Sequence, residues 1–180
     1  RLIDENKLII NDFKQTVISF SGNKQLIYAG KTNQGINWYG NLHFESELKH
    51  IVNNKSNRFN DHDILFKELK KTYGLIQLLK GVEPSSGYPK TGLGNDLATI
   101  SSMIGYNKPF KVFHLVHGSY DTHQFQIHRL NQLYNDLGKC LKTFAYDLDK
   151  MGEWNNTQVL IYSEFGRSID ENSNGGTDHG

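Results

Sequence analysis

The sequence contains very little cysteine and proline, with one Cys and three Pro in 180 residues. A single thiol cannot form an intramolecular disulfide, so the fold cannot depend on a disulfide framework. No apolar run approaches the roughly 20 residues that a transmembrane helix needs. Lys and Arg number 20 against 19 Asp and Glu, so no excess of positive charge indicates nucleic acid or an anionic membrane as a partner.

The sequence also lacks an initiating Met and a secretory or twin-arginine leader. These absences favour an excerpt or a processed form of a longer product. A chain of this length is nevertheless long enough for one domain, and folding would bury roughly 70% of the surface that the extended chain exposes.

Two apolar runs flank one long amphipathic pattern in the second half of the chain. The runs cover residues 111–117 and 157–162, and the pattern extends from Gln124 to Met151. Its apolar residues recur at steps of three and four, which predicts a helix with one buried stripe, ended by Gly152. The stripe comprises Ile127, Leu130, Leu133, Tyr134, Leu137, Cys140, Leu141, Phe144, Leu148 and Met151. Strand, helix and strand in this order predict a βαβ crossover, and hence an α/β fold with a mostly parallel sheet flanked by helices.

The first half of the chain is predicted to contain short strands followed by helices. β-like runs occur at 8–10, 17–20 and 26–29, and helical patterns at 46–52, 60–80 and 93–104. A loop with two prolines at 83–89 interrupts this series. We therefore divide the chain into residues 1–87, an upstream part of the same domain or a small insertion subdomain, and residues 88–180, the α/β core.

Side chains that bind metals follow both predicted strands of the core. Asp121 and His123 come two residues apart after the first apolar run, and Asp178 and His179 lie between glycines after the second. Because the carboxyl ends of parallel strands share one edge of a sheet, we expect these side chains to converge. Carboxylates and imidazoles suit a divalent ion with an open coordination position, so the sequence predicts a metal site. The alternative for Asp121 is the N-cap of the long helix.

Glu164 and Arg167 extend the candidate site. Glu164 directly follows the second apolar run, where a carboxylate is costly unless it binds a metal or pairs with a cation such as Arg167. Arg167 itself can bind a substrate oxyanion through its planar guanidinium. We expect His114, inside the first apolar run, to be a hydrogen-bonded core histidine and Cys140 to be a buried, inert thiol.

Five motifs occur in order between residues 88 and 180. They are YPKTGLG at 88–94, YDTH at 120–123, SEFGR at 163–167, Glu171-Asn172, and GGTDHG at 175–180. Together they resemble the bacterial family called domain of unknown function 1501, which looks like a branch of the alkaline phosphatase and sulfatase superfamily. The resemblance implies an alkaline phosphatase-like α/β fold, here a partial domain. It also implies a periplasmic or extracellular location, often reached by twin-arginine export.

The resemblance further implies roles around one or two divalent ions. Asp121 with His123 looks like the Asp and His that follow one strand in the superfamily. Glu164 stands where many relatives have an Asp-His pair, and Phe165 then replaces the histidine. A later histidine is matched by His179, or Asp178-His179 is itself the displaced pair. The resemblance places the catalytic nucleophile, a Ser or Thr, upstream of residue 1, and relatives continue beyond the final glycine.

These observations lead to a main hypothesis and two alternatives. The main hypothesis is an exported metal-dependent hydrolase of phosphate or sulfate esters, which uses zinc, manganese or calcium. Its substrate would be a small or polymeric anionic ester. The first alternative is a non-catalytic periplasmic or surface protein for binding or assembly, in which the motifs serve as caps and turns. The second is a non-functional fragment of a longer gene product.

Overall fold

The computed structural model of the protein describes residues 17–20, 36–37 and 64–180. The predicted strands at 8–10 and 26–29 and the predicted helix at 46–52 lie outside the described residues.

The chain divides into two compact units. The first comprises Arg1–Glu83 and Tyr106–Leu115, and the second comprises Pro84–Gly105 and Val116–Gly180. The metal-binding motifs predicted from the sequence all belong to the second unit.

A small parallel sheet belongs to the first unit. Its strands are β1 (Val17–Ser19), β2 (Ile36–Asn37) and β3 (Val112–His114), in the spatial order β2-β1-β3. Ile18, which is fully buried, pairs with Ile36 of β2 and with Phe113 of β3. Both pairings are parallel, which confirms the prediction of an α/β chain with a parallel sheet.

His114 ends β3 in a hydrogen-bonded position. Its Nδ1 lies 3.2 Å from Oγ of Ser19, and its carbonyl accepts a hydrogen bond from the backbone N–H of Phe20 at 2.8 Å. Burial lowers the pKa of His114, because the charged imidazolium is poorly solvated there. The predicted hydrogen bonding of His114 is confirmed, but the residue is only partly buried and is therefore not a core histidine.

The first unit also contains helix α1, Ile64–Leu79. Leu79 is buried, as its place on the predicted apolar face requires, and so is Leu75, which the predicted face does not include. Gly81 follows with a φ of 78°, a left-handed conformation that glycine adopts at little cost. The predicted end of this helix is therefore confirmed.

Two helices form the centre of the second unit. Helix α2 (Gly92–Gly105) packs against α3 (Gln126–Lys150), and their buried apolar side chains form the core of this unit. These side chains are Leu93, Leu97, Ile100 and Met103 of α2 and Cys140, Phe144 and Leu148 of α3. In the part of the chain that the structure describes, no helix is both long and apolar enough to cross a membrane.

The C-terminus of α3 agrees with the sequence. Gly152 has a φ of 74°, and its N–H donates to the carbonyl of Asp149 while Glu153 N–H donates to that of Leu148. This pair of bonds is the Schellman arrangement, which satisfies the last carbonyls of a helix. Gly152 therefore ends the helix as predicted.

The buried stripe of α3 is shorter than predicted. Cys140, Phe144 and Leu148 are buried, but Ile127 and Tyr134 are exposed. α3 has 25 residues and α2 only 14, so α2 covers only the second half of α3. Helical periodicity marks the face that a helix can bury, whereas the length of the neighbouring element decides how much of it is buried.

The prediction of a second core strand at 157–162 is wrong. This segment follows a 3₁₀ turn at Trp154–Asn156 and pairs with no strand among the described residues. Leu160 is 77% exposed, although a strand in a parallel sheet would be buried on both faces. An apolar run indicates a preference for burial, but a strand also needs a neighbour to accept its hydrogen bonds, and β3 pairs with β1 instead.

Gly94 of α2 is predicted to be intolerant of a side chain. A Cβ at this position would overlap the backbone carbonyl oxygen of Pro89, which cannot move as a flexible side chain can. We expect Gly94→Ala to lower the free energy of unfolding by roughly 1–3 kcal/mol, measured by urea denaturation.

Gly138→Ala provides the control for this substitution. Gly138 lies inside α3, and a Cβ added to it would meet no atom within 4 Å. Alanine should stabilise the helix there by roughly 0.5–1 kcal/mol. Equal effects of the two substitutions would contradict the packing of α2 described above.

Candidate metal centre

Three irregular segments of the second unit carry the candidate site. They cover residues 116–125, 163–168 and 171–180, and the last two are joined by an isolated antiparallel bridge between Arg167 and His179. Ser168 N–H donates to the carbonyl of Asp178 at 2.9 Å, and Gly180 N–H donates to that of Gly166 at 3.0 Å. Backbone pairing thus brings the SEFGR and GGTDHG motifs together.

The 171–180 segment also contacts the beginning of α3. The backbone N–H groups of Phe125 and Gln126 donate to the carbonyls of Asn174 and Gly175, at 3.3 and 3.0 Å. The N-cap of α3 is Phe125, which has a φ of 48° and forms no side-chain capping bond. The alternative role of Asp121 as the helix N-cap is therefore wrong, since loop carbonyls accept hydrogen bonds from the N–H groups at this end.

Asn172 connects the two loops. Its Nδ2 donates to the carbonyl of His123 at 3.1 Å and to Oδ1 of Asp178 at 3.2 Å. Its Oδ1 accepts hydrogen bonds from the backbone N–H groups of Asn174 and Gly176. One amide side chain thus fixes the shape of the 171–180 loop and its distance from His123.

Asp121 is the centre of the cluster that results. Its Oδ1 accepts hydrogen bonds from Nε2 of His179 and Nη2 of Arg167, each at 2.9 Å, and lies at the same distance from Nε2 of His123. One potential ligand atom each from Asp121, His123 and His179 lies within 4.8 Å of the others. These three residues are therefore a possible metal-binding triad, and they are three of the five ligands predicted from the sequence.

Asp178, the fourth predicted ligand, faces the other side of the His123 ring. Its Oδ1 lies 3.0 Å from Nδ1 of His123, so both ring nitrogens of His123 face carboxylate oxygens. A carboxylate on the second nitrogen of a metal-binding histidine fixes the orientation of the ring and increases its basicity. The structure thus places Asp178 behind His123 and outside the triad.

Both carboxylates of the cluster are stabilised in their charged form. The hydrogen bond from His179 lowers the pKa of Asp121, with smaller contributions from the charges of His123 and Arg167. The pKa of Asp178 is lowered mainly by the hydrogen bond from His123 and then by that from Asn172. Two anions therefore persist at neutral pH beside two imidazoles, as a cation site requires.

Phe165 packs against the third member of the triad. Its ring stacks on that of His179 with centroids 4.2 Å apart and an interplanar angle of 16°, and the Arg167 guanidinium lies 5.1 Å from the Phe165 centroid. Phe165, which the resemblance described above places at the position of a histidine, thus stacks on another histidine. Sequence reasoning noted the replacement but not this contact.

Arg167 joins two of the site segments. Its guanidinium donates to the carbonyls of Tyr120 and Thr177 and to the Asp121 carboxylate. The ion pair between Glu164 and Arg167, which the sequence offers as an alternative, is not formed. Arg167 pairs with Asp121 instead. Glu164 is exposed and lies outside the triad found among the described residues, so its predicted role as a ligand stays a prediction.

One comparison with known protein families gives a match. Residues 99–180 match the model of the family described as Protein of unknown function (DUF1501). This stretch contains the YDTH, SEFGR and GGTDHG motifs, and the match supports the assignment to that family. The chain matches no curated protein and no solved structure.

Gly176 is predicted to control the separation of the two loops. A Cβ there would lie 2.5 Å from the carbonyl carbon and oxygen of His123. We expect Gly176→Ala to push the loops apart and to lower the free energy of unfolding by roughly 1–3 kcal/mol. NMR chemical shifts of the His123 ring should change with the loss of its Asp178 contact. Gly166→Ala, which meets no atom within 4 Å, should leave these shifts unchanged.

The lowered pKa of Asp178 predicts a pH dependence of stability. A carboxyl group whose pKa is lower in the folded state stabilises the fold above its ordinary pKa of 3.8, and this contribution disappears as the pH falls through the folded value. The difference in unfolding free energy between wild type and Asp178→Asn should therefore be constant above about pH 5 and shrink in more acidic solution. Chemical denaturation at several pH values would measure it. A difference that grows on acidification would contradict the His123–Asp178 contact.

Proposed function

We propose that the protein is an exported metal-dependent hydrolase of phosphate or sulfate esters. The observation that carries this proposal is the convergence of one carboxylate oxygen and two imidazole nitrogens, from Asp121, His123 and His179, within 4.8 Å. The class of reaction and the export rest on the resemblance of the surrounding motifs to the alkaline phosphatase and sulfatase superfamily.

The residues present fit a divalent transition metal. Imidazole nitrogens suit zinc and other first-row metals, whereas calcium prefers six to eight oxygen ligands. A set of two histidines and one aspartate therefore favours zinc or manganese over calcium among the three ions considered. The carboxylate of Asp178 behind His123, at 3.0 Å, is the kind of outer partner that metal-binding histidines commonly have.

The triad would hold the ion through Asp121 Oδ1 and the Nε2 atoms of His123 and His179. An ion at this place would act as a Lewis acid that polarises an ester oxygen and neutralises developing negative charge. Asp178 keeps Nε2 of His123 directed at Asp121, because it accepts the proton on the opposite nitrogen. Phe165 limits the orientation of His179 through ring stacking.

Arg167 supplies the positive charge for an anionic ester. Its Nη2 lies 2.9 Å from Asp121, so the guanidinium is adjacent to the triad. A planar guanidinium matches the paired oxygens of a phosphoryl or sulfuryl group. We propose that Arg167 orients this group beside the triad, while its bonds to Tyr120 and Thr177 carbonyls hold the two loops around it.

A second candidate function is favoured by the completeness of the cluster itself. Asp121 Oδ1 already accepts two hydrogen bonds and lies 2.9 Å from Nε2 of His123, and Nδ1 of His123 is hydrogen-bonded to Asp178. A cluster of this kind can fasten three loops without an ion. The corresponding function is a non-catalytic binding or assembly protein that retains the fold.

Metal analysis of dialysed protein distinguishes the two candidates. We expect stoichiometric zinc or manganese in the wild type and its loss in Asp121→Ala and His179→Ala, because each variant removes one of three ligands. His128→Ala is the control, since this exposed histidine of α3 bonds only to Gln132 among the described residues. The metal-loaded wild type should hydrolyse aryl phosphates or sulfates, and Asp121→Ala should not.

Absence of metal from the wild type would contradict the proposed metal-dependent hydrolase. It would favour the non-catalytic protein, in which the cluster only holds the loops together. Glu164→Ala tests the remaining predicted ligand in the same assay. If this variant keeps its metal, Glu164 is removed from the ligand set.

A further inference from the structure

A second cluster of polar side chains lies between α3 and the loop that carries Asp121. Its centre is Asp136 of α3, whose Oδ1 accepts hydrogen bonds from Oγ1 of Thr91 at 3.0 Å and from Sγ of Cys140 at 3.5 Å. Its Oδ2 lies 3.3 Å from Nε2 of His117. The side chains of His117 and Asp136 are only 18% and 20% exposed, so their attraction is weakly screened by solvent.

His117 connects Asp136 with Tyr120, the residue before Asp121. The Nε2 atom of His117 faces the Asp136 carboxylate, and Nδ1 on the other side of the ring faces Tyr120. There Oη of Tyr120 lies 2.9 Å away, and the two rings meet edge to face with centroids 5.3 Å apart. The side chain of Tyr120 is thus fixed from α3.

The backbone of Tyr120 reaches the triad. Its carbonyl accepts hydrogen bonds from Thr122 N–H at 2.9 Å and from Nη2 of Arg167 at 3.0 Å. The same Nη2 donates to Asp121. Thr122, between two members of the triad, is 1% exposed and therefore has little freedom to move. A continuous series of contacts thus connects Asp136 with the carboxylate at the centre of the site.

We propose that Asp136 and His117 are positioning residues that set the ion affinity and coordination geometry of the Asp121–His123–His179 triad. This inference rests on the proposed metal-binding function. Ligands bind an ion strongly only when they are held close to the productive geometry, and rigid helices hold them better than loops do. The triad lies on loops, and the series through Tyr120 and His117 connects it to α3.

The structure provides a matched control on the same helix. Asp147 of α3 accepts a hydrogen bond from Ser101 of α2 at 3.3 Å, as Asp136 accepts one from Thr91 just before α2. Both carboxylates therefore connect the α2 region to α3. Only Asp136 also contacts His117, so the two alanine variants separate a general loss of helix packing from a specific effect on the ion site.

The experiment is titration of the full chain with Co²⁺, followed by its absorption spectrum, and with Zn²⁺ in competition. We expect Asp136→Ala and His117→Phe to weaken ion binding by roughly 10–100-fold, as loss of an outer hydrogen-bond partner typically does. The Co²⁺ spectrum should change with the coordination geometry. His117→Phe keeps the ring volume, so it provides the measurement if Asp136→Ala does not fold.

The conservative substitution Asp136→Asn should preserve ion binding, unlike Asp136→Ala. In Asp136→Asn the amide oxygen can still accept from His117 while the NH₂ group faces the Thr91 hydroxyl, so affinity should stay within about threefold of wild type. Asp147→Ala should bind ions as wild type does, even if its unfolding free energy falls.

Three outcomes would overturn the inference, and they can be told apart. A wild type that binds neither Co²⁺ nor Zn²⁺ overturns the proposed function and this inference with it. A wild type that binds both ions while Asp136→Ala and His117→Phe bind equally well overturns the positioning role alone. Equal weakening by Asp136→Ala and Asp147→Ala would also overturn it, because the effect would then come from helix packing.

Discussion

The three segments of the candidate site are held together at one oxygen atom, Oδ1 of Asp121. It accepts hydrogen bonds from His179 and Arg167 and lies 2.9 Å from Nε2 of His123. These residues come from three irregular segments with no strand or helix of their own to hold them. Exposed loops gain little from burial of apolar surface, so charge-assisted hydrogen bonds must order them. The bridge between Arg167 and His179 and the amide of Asn172 then fix the separations between the segments.

Features that depend on local sequence could be predicted. The periodicity of α3 and the glycine after it determine a helix and its end, because both effects act within a few residues. The segment 157–162 shows where such reasoning stops. Its apolar residues satisfy every local criterion for a buried strand, yet strand pairing depends on a partner, and β3 pairs with β1. The exposed first half of α3 has the same explanation, since α2 is too short to cover it.

The candidate site likewise has features that could be predicted from the sequence and features that could not. Asp121, His123 and His179 could be proposed because carboxylates and histidines near glycines are recognisable in a sequence. Asp178 is also predicted at the site, but as a ligand, and its contact with the second ring nitrogen of His123 at 3.0 Å follows only from the folded loops. The stacking of Phe165 on His179 likewise has no sequence signal beyond an unexpected residue in a motif. Residues that could bind a metal can be recognised in the sequence by their side-chain chemistry. Residues that position them can be recognised only from their contacts in the folded structure.

The choice of side chains around Asp121 bears on what the cluster does. A group that only fastens loops is served best by Arg, which is always charged and donates from a planar fork, and Arg167 fills this role. The other two side chains directed at Asp121 are histidines, whose rings present single N–H groups rather than a planar fork of donors and therefore hold a carboxylate less firmly. Imidazole has a different advantage, since its unprotonated nitrogen can donate a lone pair to a metal ion. Two histidines directed at one carboxylate, with Asp178 behind the first and Phe165 against the second, therefore favour an ion-binding role over a purely structural one.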